Sequence, residues 1–123
     1  MSDEPCPLCK AEDVIFRSEL AYVRYDNFPL SRGHVLVVPH RHVAGYFDMT
    51  TDEKHAVVSL LDQAKAFVAE KFAPHGYNIG VNIGKAAGQS RMHVHVHLIP
   101  RYQGDVADPR GGIRCVLPRG TSK

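Results

Sequence analysis

Gly88-Gln89-Ser90-Arg91-Met92-His93-Val94-His95-Val96-His97-Leu98-Ile99-Pro100 is the stretch whose reading decides the fold. At period two it sends Val94, Val96 and Leu98 to one face of a strand and His93, His95 and His97 to the other, because side chains alternate across a pleated backbone. The first face is a core face. The second carries three of the chain's 8 histidines, and histidine adds little to strand propensity, so packing alone does not account for the row. Without a bend, reach excludes one metal held by all three: positions four apart on a strand lie roughly 13 Å apart, against ~2.0 to 2.1 Å from zinc to an imidazole nitrogen. Two adjacent rungs could share an ion, or the middle imidazole could attack an electrophile while its neighbours orient it; a polar strand face paired to water or backbone is the plain alternative. An unperturbed pKa of ~6.5 leaves an imidazole lone pair available at neutral pH, which suits a nucleophile.

Working outward, Tyr77, Ile79, Val81 and Ile83 alternate with Asn78, Gly80, Asn82 and Gly84. This is the pattern of a strand whose apolar set faces a helix. Lys85 to Ser90 then makes a loop with glycine where backbone comes close to another group, such as a phosphate held by amide N–H groups, or else an ordinary hairpin. Further upstream the period changes: Val57, Leu60, Leu61, Ala64, Phe67, Val68 and Phe72 recur at steps of three and four. That is an amphipathic helix of about twenty residues, capped by Thr50 or Thr51 with Asp52 and Glu53 and ended by Pro74 and Gly76. A shorter helix or turn falls between His42 and Phe47. His34 opens the apolar run Val35-Leu36-Val37-Val38-Pro39, which reads as a strand buried on both faces, and Leu20 to Tyr25 and Val14 to Arg17 read as further strands. The elements sum to an α+β fold, a mainly antiparallel sheet of about five strands with one long helix and a short one.

At 123 residues the chain is one domain. Its 44% hydrophobic and 23% charged content is ordinary for a soluble protein. No apolar run reaches ~18 residues and Met1 to Pro5 is acidic, so neither a signal peptide nor a membrane span is expected and a cytoplasmic location is. A formal charge of +2 is too small to argue for a nucleic-acid polymer. The 3 cysteines do not make a disulfide framework. Cys6-Pro7-Leu8-Cys9 is followed by a strand pattern rather than by a helix start, which favours zinc over thiol redox chemistry and leaves two tetrahedral ligands to be found. Cys115 is left over. Beyond Pro100 the chain is rich in Gly, Pro and Arg around a short apolar stretch, Ile113 to Leu117; Arg101 and Arg110 are candidates to meet a polyphosphate, a solvated tail being the alternative.

His93-Val94-His95-Val96-His97-Leu98-Ile99, led in by Gly88-Gln89-Ser90, resembles the signature of the histidine triad (HIT) family, His-φ-His-φ-His-φ-φ with φ apolar. The resemblance implies a single HIT domain over 1–123, with a core at 6–101 and a variable C-terminal tail at 102–123, commonly paired as a two-fold homodimer. It implies an enzyme that cleaves at the α-phosphate of a dinucleoside polyphosphate or a nucleoside phosphoramidate through a covalent nucleotidyl-His95. His97 and His34, the latter in Gly33-His34-Val35-Leu36-Val37, would orient that ring or stabilise charge. Asp26 would bind the ribose hydroxyls, Asn82 the phosphate, and Gln89 and Ser90 would flank the scissile bond. Relatives with an N-terminal Cys-x-x-Cys resemble the galactose-1-phosphate uridylyltransferase branch, which implies structural zinc on Cys6, Cys9, His42 and His93, with His40 the rival for the third position. A nucleotide-binding, zinc-stabilised interaction protein without turnover is a second reading, and a metalloenzyme built on His95 and His97 a third. The physiological substrate, and the choice of water or phosphate as acceptor, do not follow from the residues.

Overall fold

The structure, a computed structural model, describes residues 6–117; Met1 to Pro5 and the last part of the tail, 118–123, lie outside the described residues. The strands are β1 (Val14–Arg17), β2 (Ala21–Tyr25), β3 (Val35–Pro39), β4 (Gly76–Gly80) and β5 (Val96–Arg101), and α1 (Thr51–Phe72) connects β3 to β4. They form one five-stranded sheet in the order β1-β2-β3-β5-β4, antiparallel at every pairing. The α+β expectation therefore holds, with 3-10 helices at Tyr46–Asp48, Lys85–Ala87 and Gly112–Val116 in the connections.

The central strand shows why the apolar run is unbroken. Val35 and Val37 join Val57, Leu60, Ala64 and Val68 of α1, while Leu36 and Val38 pack on the opposite face against Leu8 and Tyr22. A strand buried on both faces has no reason to alternate. β2 shares this environment, with Ala21 to Arg24 all buried, although its sequence alternates only loosely. The helix starts as its sequence says: Thr50 and Glu53 form a reciprocal capping box. Its end differs, because the left-handed cap is Ala73 (φ 50°), one residue before Pro74. Glu53 has a second task that composition did not reveal. It is buried and also accepts two hydrogen bonds from Arg41, at 3.0 and 2.8 Å. The Arg41 guanidinium holds its carboxyl down at about 2, and the pair ties the segment leaving β3 to the start of α1.

Two expectations change. β4 is shorter than the alternation implied, and it is an edge strand at the limit of what α1 covers. Tyr77 and Val81 reach the core, whereas Ile79 and Ile83 stay 50% and 37% exposed. The histidine stretch enters the ladder only at Val96. Ahead of it the Val94 N–H donates to the Val43 carbonyl at 2.8 Å. That bond keeps Val94, Val96 and Leu98 on the core side, yet His93 and His95 lie outside the ladder and the three rings do not form a single row. Among the described residues no helix is long and apolar enough to cross a membrane.

Candidate functional site

The bend before β5 divides the histidines between two clusters. His93 is fully buried, and its Nε2–H donates to the Pro39 carbonyl at 2.8 Å. Its lone pair is thereby left on Nδ1, which lies 3.4 Å from Cys6 Sγ and 3.5 Å from Cys9 Sγ. His42 Nδ1 is 3.1 Å from Cys9 Sγ, and the four ligand atoms all lie within 4.8 Å of one another. A tetrahedral ion ~2.3 Å from sulfur and ~2.0 Å from nitrogen requires S···N edges of about 3.5 Å, so this donor set fits zinc. The backbone carbonyl behind His93 is the outer partner that such a ligand normally has. His40, the rival, is elsewhere: it bonds the Ser18 carbonyl and stacks on Tyr22.

The second cluster is Asp26, His34 and His97, which also has the composition of a metal triad. Its hydrogen bonds say otherwise. The Leu30 N–H donates to His34 Nδ1 at 3.0 Å, so the neutral ring carries its proton on Nε2, and that nitrogen donates to His97 Nδ1 at 2.9 Å. A protonated Nε2 is a donor rather than a ligand. His97 in turn keeps its own proton on Nε2. Asp26 Oδ1 accepts from the Phe28 N–H at 2.9 Å, and Oδ2 lies 3.3 Å from His34 and 3.7 Å from His97. Burial favours the neutral form of both rings, and at His97 unfavourable Coulombic coupling to the neighbouring His95 and His34 imidazoles adds to it. His97 is pushed down to about 4 and His34 below its ordinary value, although Asp26 pulls each upward.

His95 stands between the clusters, half-buried, with its ring 5.1 Å from that of His97. Its Nδ1–H donates to the His93 carbonyl at 2.9 Å. The bend that spoils the row therefore creates this bond, and the bond fixes the tautomer that leaves the Nε2 lone pair uncommitted.

A cleft of about 830 Å³ opens beside His97. Asp26, His34, His97 and Asn82 supply polar groups to its lining, and Phe28, Leu30, Ile79, Ile99, Ile113 and Leu117 supply apolar ones. Of the expected contacts, Asp26, His34, His97 and Asn82 line this cleft, and Ser90 is exposed on the adjoining loop. Gln89 is placed differently. It is buried, its Oε1 accepts from the Gly84 N–H at 2.8 Å, and its Nε2 donates to the carbonyls of Ala44 and Arg91 at 2.6 and 2.9 Å. It braces the loop rather than facing a ligand. Arg101 is likewise committed, to Asp105 and Asn78, and Arg110 to Asp108. Sequence reasoning missed the apolar walls, including the share that the tail supplies. It also passed over Asn78, although the alternation already placed that residue on the face of Asn82.

A family model described as HIT domain matches residues 9–104. The chain is 37% identical over 93 residues to an AP-4-A phosphorylase of Mycobacterium tuberculosis, a match covering 75% of this chain and 48% of that protein. It thus spans about half the length of that curated relative. Among solved structures it resembles a HIT family protein from Bacillus anthracis, with a TM-score of 0.77 at 30% identity over 85% of this chain and 78% of that one. It also resembles a zinc-bound histidine triad family protein from Mycobacterium smegmatis, with a TM-score of 0.71 at 29% identity over 86% and 73%.

Proposed function

This chain belongs to the HIT domain family, and from that premise we propose that it cleaves nucleotides at the α-phosphate of a dinucleoside polyphosphate or a nucleoside phosphoramidate, through a covalent nucleotidyl-His95. The observation that carries this reading is the His95 Nδ1–H bond to the His93 carbonyl, which reserves Nε2 as nucleophile. That nitrogen attacks phosphorus in line; a P–N bond forms as the bond from phosphorus to the leaving group breaks, and the leaving group takes the bonding pair. His97, whose Nδ1 is occupied by His34, offers its Nε2–H to the departing or non-bridging oxygen. Water, or phosphate in a phosphorylase, then breaks the P–N bond and returns His95. Asp26 takes the ribose hydroxyls, Asn82 the phosphate, and Ser90 stands near the leaving group. Gln89 acts by holding the loop closed around them, so most of its effect is positional.

Zinc on Cys6, Cys9, His42 and His93 belongs to the same reading. Held by these four residues it would supply a structural cross-link and take no part in the chemistry. His93 then anchors the bend that aims His95. The exposed Ile79 and Ile83 beside edge strand β4 favour a two-fold homodimer through that edge, and the reduced cysteines suit a cytoplasmic protein.

The test is turnover in ¹⁸O-water with a dinucleoside polyphosphate and with a nucleoside phosphoramidate. The wild type should release nucleoside monophosphate carrying one ¹⁸O on phosphorus, or nucleoside diphosphate when phosphate is the acceptor, and His95→Ala should release neither. Failure of the wild type on both substrates leaves the binding-protein alternative and removes the catalytic one.

A further inference from the structure

We propose that Glu53 and Arg41 are positioning residues for the chemistry at His95, acting through the backbone of residues 39–44. The inference rests on the nucleotide reading above and adds to it two side chains that lie outside both the cleft and the Cys6, Cys9, His42, His93 cluster.

The bend that aims His95 is laid on acceptors from elsewhere in the chain. The Pro39 carbonyl accepts from His93 Nε2 at 2.8 Å, the Val43 carbonyl from the Val94 N–H at 2.8 Å and the Ala44 carbonyl from Gln89 Nε2 at 2.6 Å. The series ends at the His93 carbonyl, which accepts from His95 Nδ1. All three outer acceptors fall between Pro39 and Ala44, so a displacement of that segment moves the stretch from Gln89 to His95 with it. Pro39 alone among them belongs to a strand. Beyond it the chain leaves the ladder, and the next regular element is the 3-10 helix at Tyr46. Irregular backbone keeps its carbonyls in place only where side chains tie it down. Val43, packed in the core, is one tie.

Arg41 is the other. Its Nε donates to Glu53 Oε2 at 3.0 Å and its Nη2 to Oε1 at 2.8 Å, the paired fork that fixes orientation as well as distance. Nη2 also reaches the Asp48 carbonyl at 3.4 Å. Glu53 is buried, and its Oε1 accepts from the Thr50 N–H at 2.9 Å. It stands in the first turn of α1, whose Val57, Leu60, Ala64 and Val68 are core residues. The fork thus fastens an irregular segment to a firmly packed helix. A capping box needs only glutamate or glutamine at this position and no arginine facing it, so the fork has a task apart from the cap. Misplacing a reacting group by ~1 Å costs on the order of 100-fold in rate, so about half that displacement, passed along these bonds to His95, costs about tenfold.

Turnover of the full-length protein on a dinucleoside polyphosphate, with ¹⁵N spectra of histidine-labelled protein taken without substrate, tests this in Glu53→Gln, Arg41→Leu, Arg41→Lys and Glu53→Gln combined with Arg41→Leu. Glutamine keeps the cap and loses the charged fork. Arg41 is exposed, so Arg41→Lys stands in should the others fail to fold. Glu53→Gln and Arg41→Leu should each lose about tenfold in kcat with KM within about twofold of the wild type. The double variant should lose no more than either, because the two residues act as a unit. Arg41→Lys, which keeps the charge without the fork, should lie between. The wild-type spectrum should show His95 protonated on Nδ1 alone, and the variants a mixture with the Nε2 tautomer. Asp52→Asn, at an exposed carboxylate in the same first turn, should match the wild type. A lowered Tm with kcat and the His95 tautomer unchanged marks the pair as a helix cap only and overturns the proposal. So does a loss carried by KM alone, or a loss of kcat that appears only with a matching loss of zinc. Absence of turnover in the wild type overturns the nucleotide reading instead, while the substrate-free spectra still decide whether Arg41 and Glu53 set the state of His95.

Discussion

Replacing Cys9 by serine removes one of two sulfur donors from the Cys6, Cys9, His42, His93 cluster while leaving the sheet and helix untouched. What the cluster holds in place is the segment ahead of β1. Leu8 there is buried against Tyr22, Leu36 and Val38, and the Tyr22 hydroxyl donates to the Leu8 carbonyl. A buried leucine contributes ~2 kcal/mol and a buried hydrogen bond about 1 kcal/mol, so release of this segment costs on the order of 3 kcal/mol. For a domain of this size that is a fall in Tm of roughly 10 °C. The assay is thermal unfolding with and without a chelator, alongside metal analysis. The wild type should carry about one zinc per chain and lose roughly 10 °C with chelator, and Cys9→Ser should begin at the lower Tm and ignore the chelator. Activity should fall with Tm, because His93 anchors the bend that aims His95. A wild type whose Tm is unchanged after its metal has been stripped refutes the structural cross-link. Loss of activity without loss of Tm points instead to a metal at His95 and His97.

Acid should destabilise the protein in a window set by its buried imidazoles. The native pKa of His97 is lowered to about 4, so the unfolded chain takes up protons first: stability is intact above about pH 6.5 and drains away as pH falls toward 4. Urea unfolding should lose about 2 kcal/mol from this group between pH 7 and pH 5, and His97→Gln should flatten that part of the profile; equal slopes in both proteins contradict it. Gln89→Ala frees a loop N–H and two carbonyls that it now bridges. It should lower kcat roughly 100-fold for a stability cost of about 1 to 3 kcal/mol, and an unchanged kcat would mean that the brace is irrelevant to the site. Gly33→Ala places a Cβ 2.7 Å from Phe72 Cδ2 at a φ of +87°. It should cost at least ~1 to 2 kcal/mol in urea unfolding, and a neutral result would show that the turn into His34 is not strained.

Burial repeating along one element is what made the fold legible. The Val94, Val96, Leu98 alternation and the three-and-four spacing from Val57 to Phe72 each name a buried face without reference to anything distant. Cys6 and Cys9 pointed to a metal site by their own spacing, and the four expected donors do converge into a cluster that could hold one. What stayed hidden depends on partners far along the chain. The bend at His93 to His95 follows from a bond between Val94 and Val43. Gln89 is claimed by Ala44, 45 residues away, and Asn78 by Arg101, 23 residues away. Neither partnership leaves a periodic trace, so a polar residue that braces backbone looks, in sequence, the same as one that meets a ligand. The tail's part in the cleft was obscured for a similar reason, since Ile113 and Leu117 come to line it with Phe28 and Leu30, residues more than 80 positions earlier in the chain.

The proposed catalysis turns on one bond between the His95 ring nitrogen and phosphorus. Protein mixed with a dinucleoside polyphosphate carrying ³²P at the α-position, quenched within one turnover and digested, should yield one labelled peptide containing His95. The label should be lost in acid, as expected of a phosphoramidate, and absent from His95→Ala. Steady product release with no labelled peptide at any quench time, or a label that maps to another residue, would contradict it.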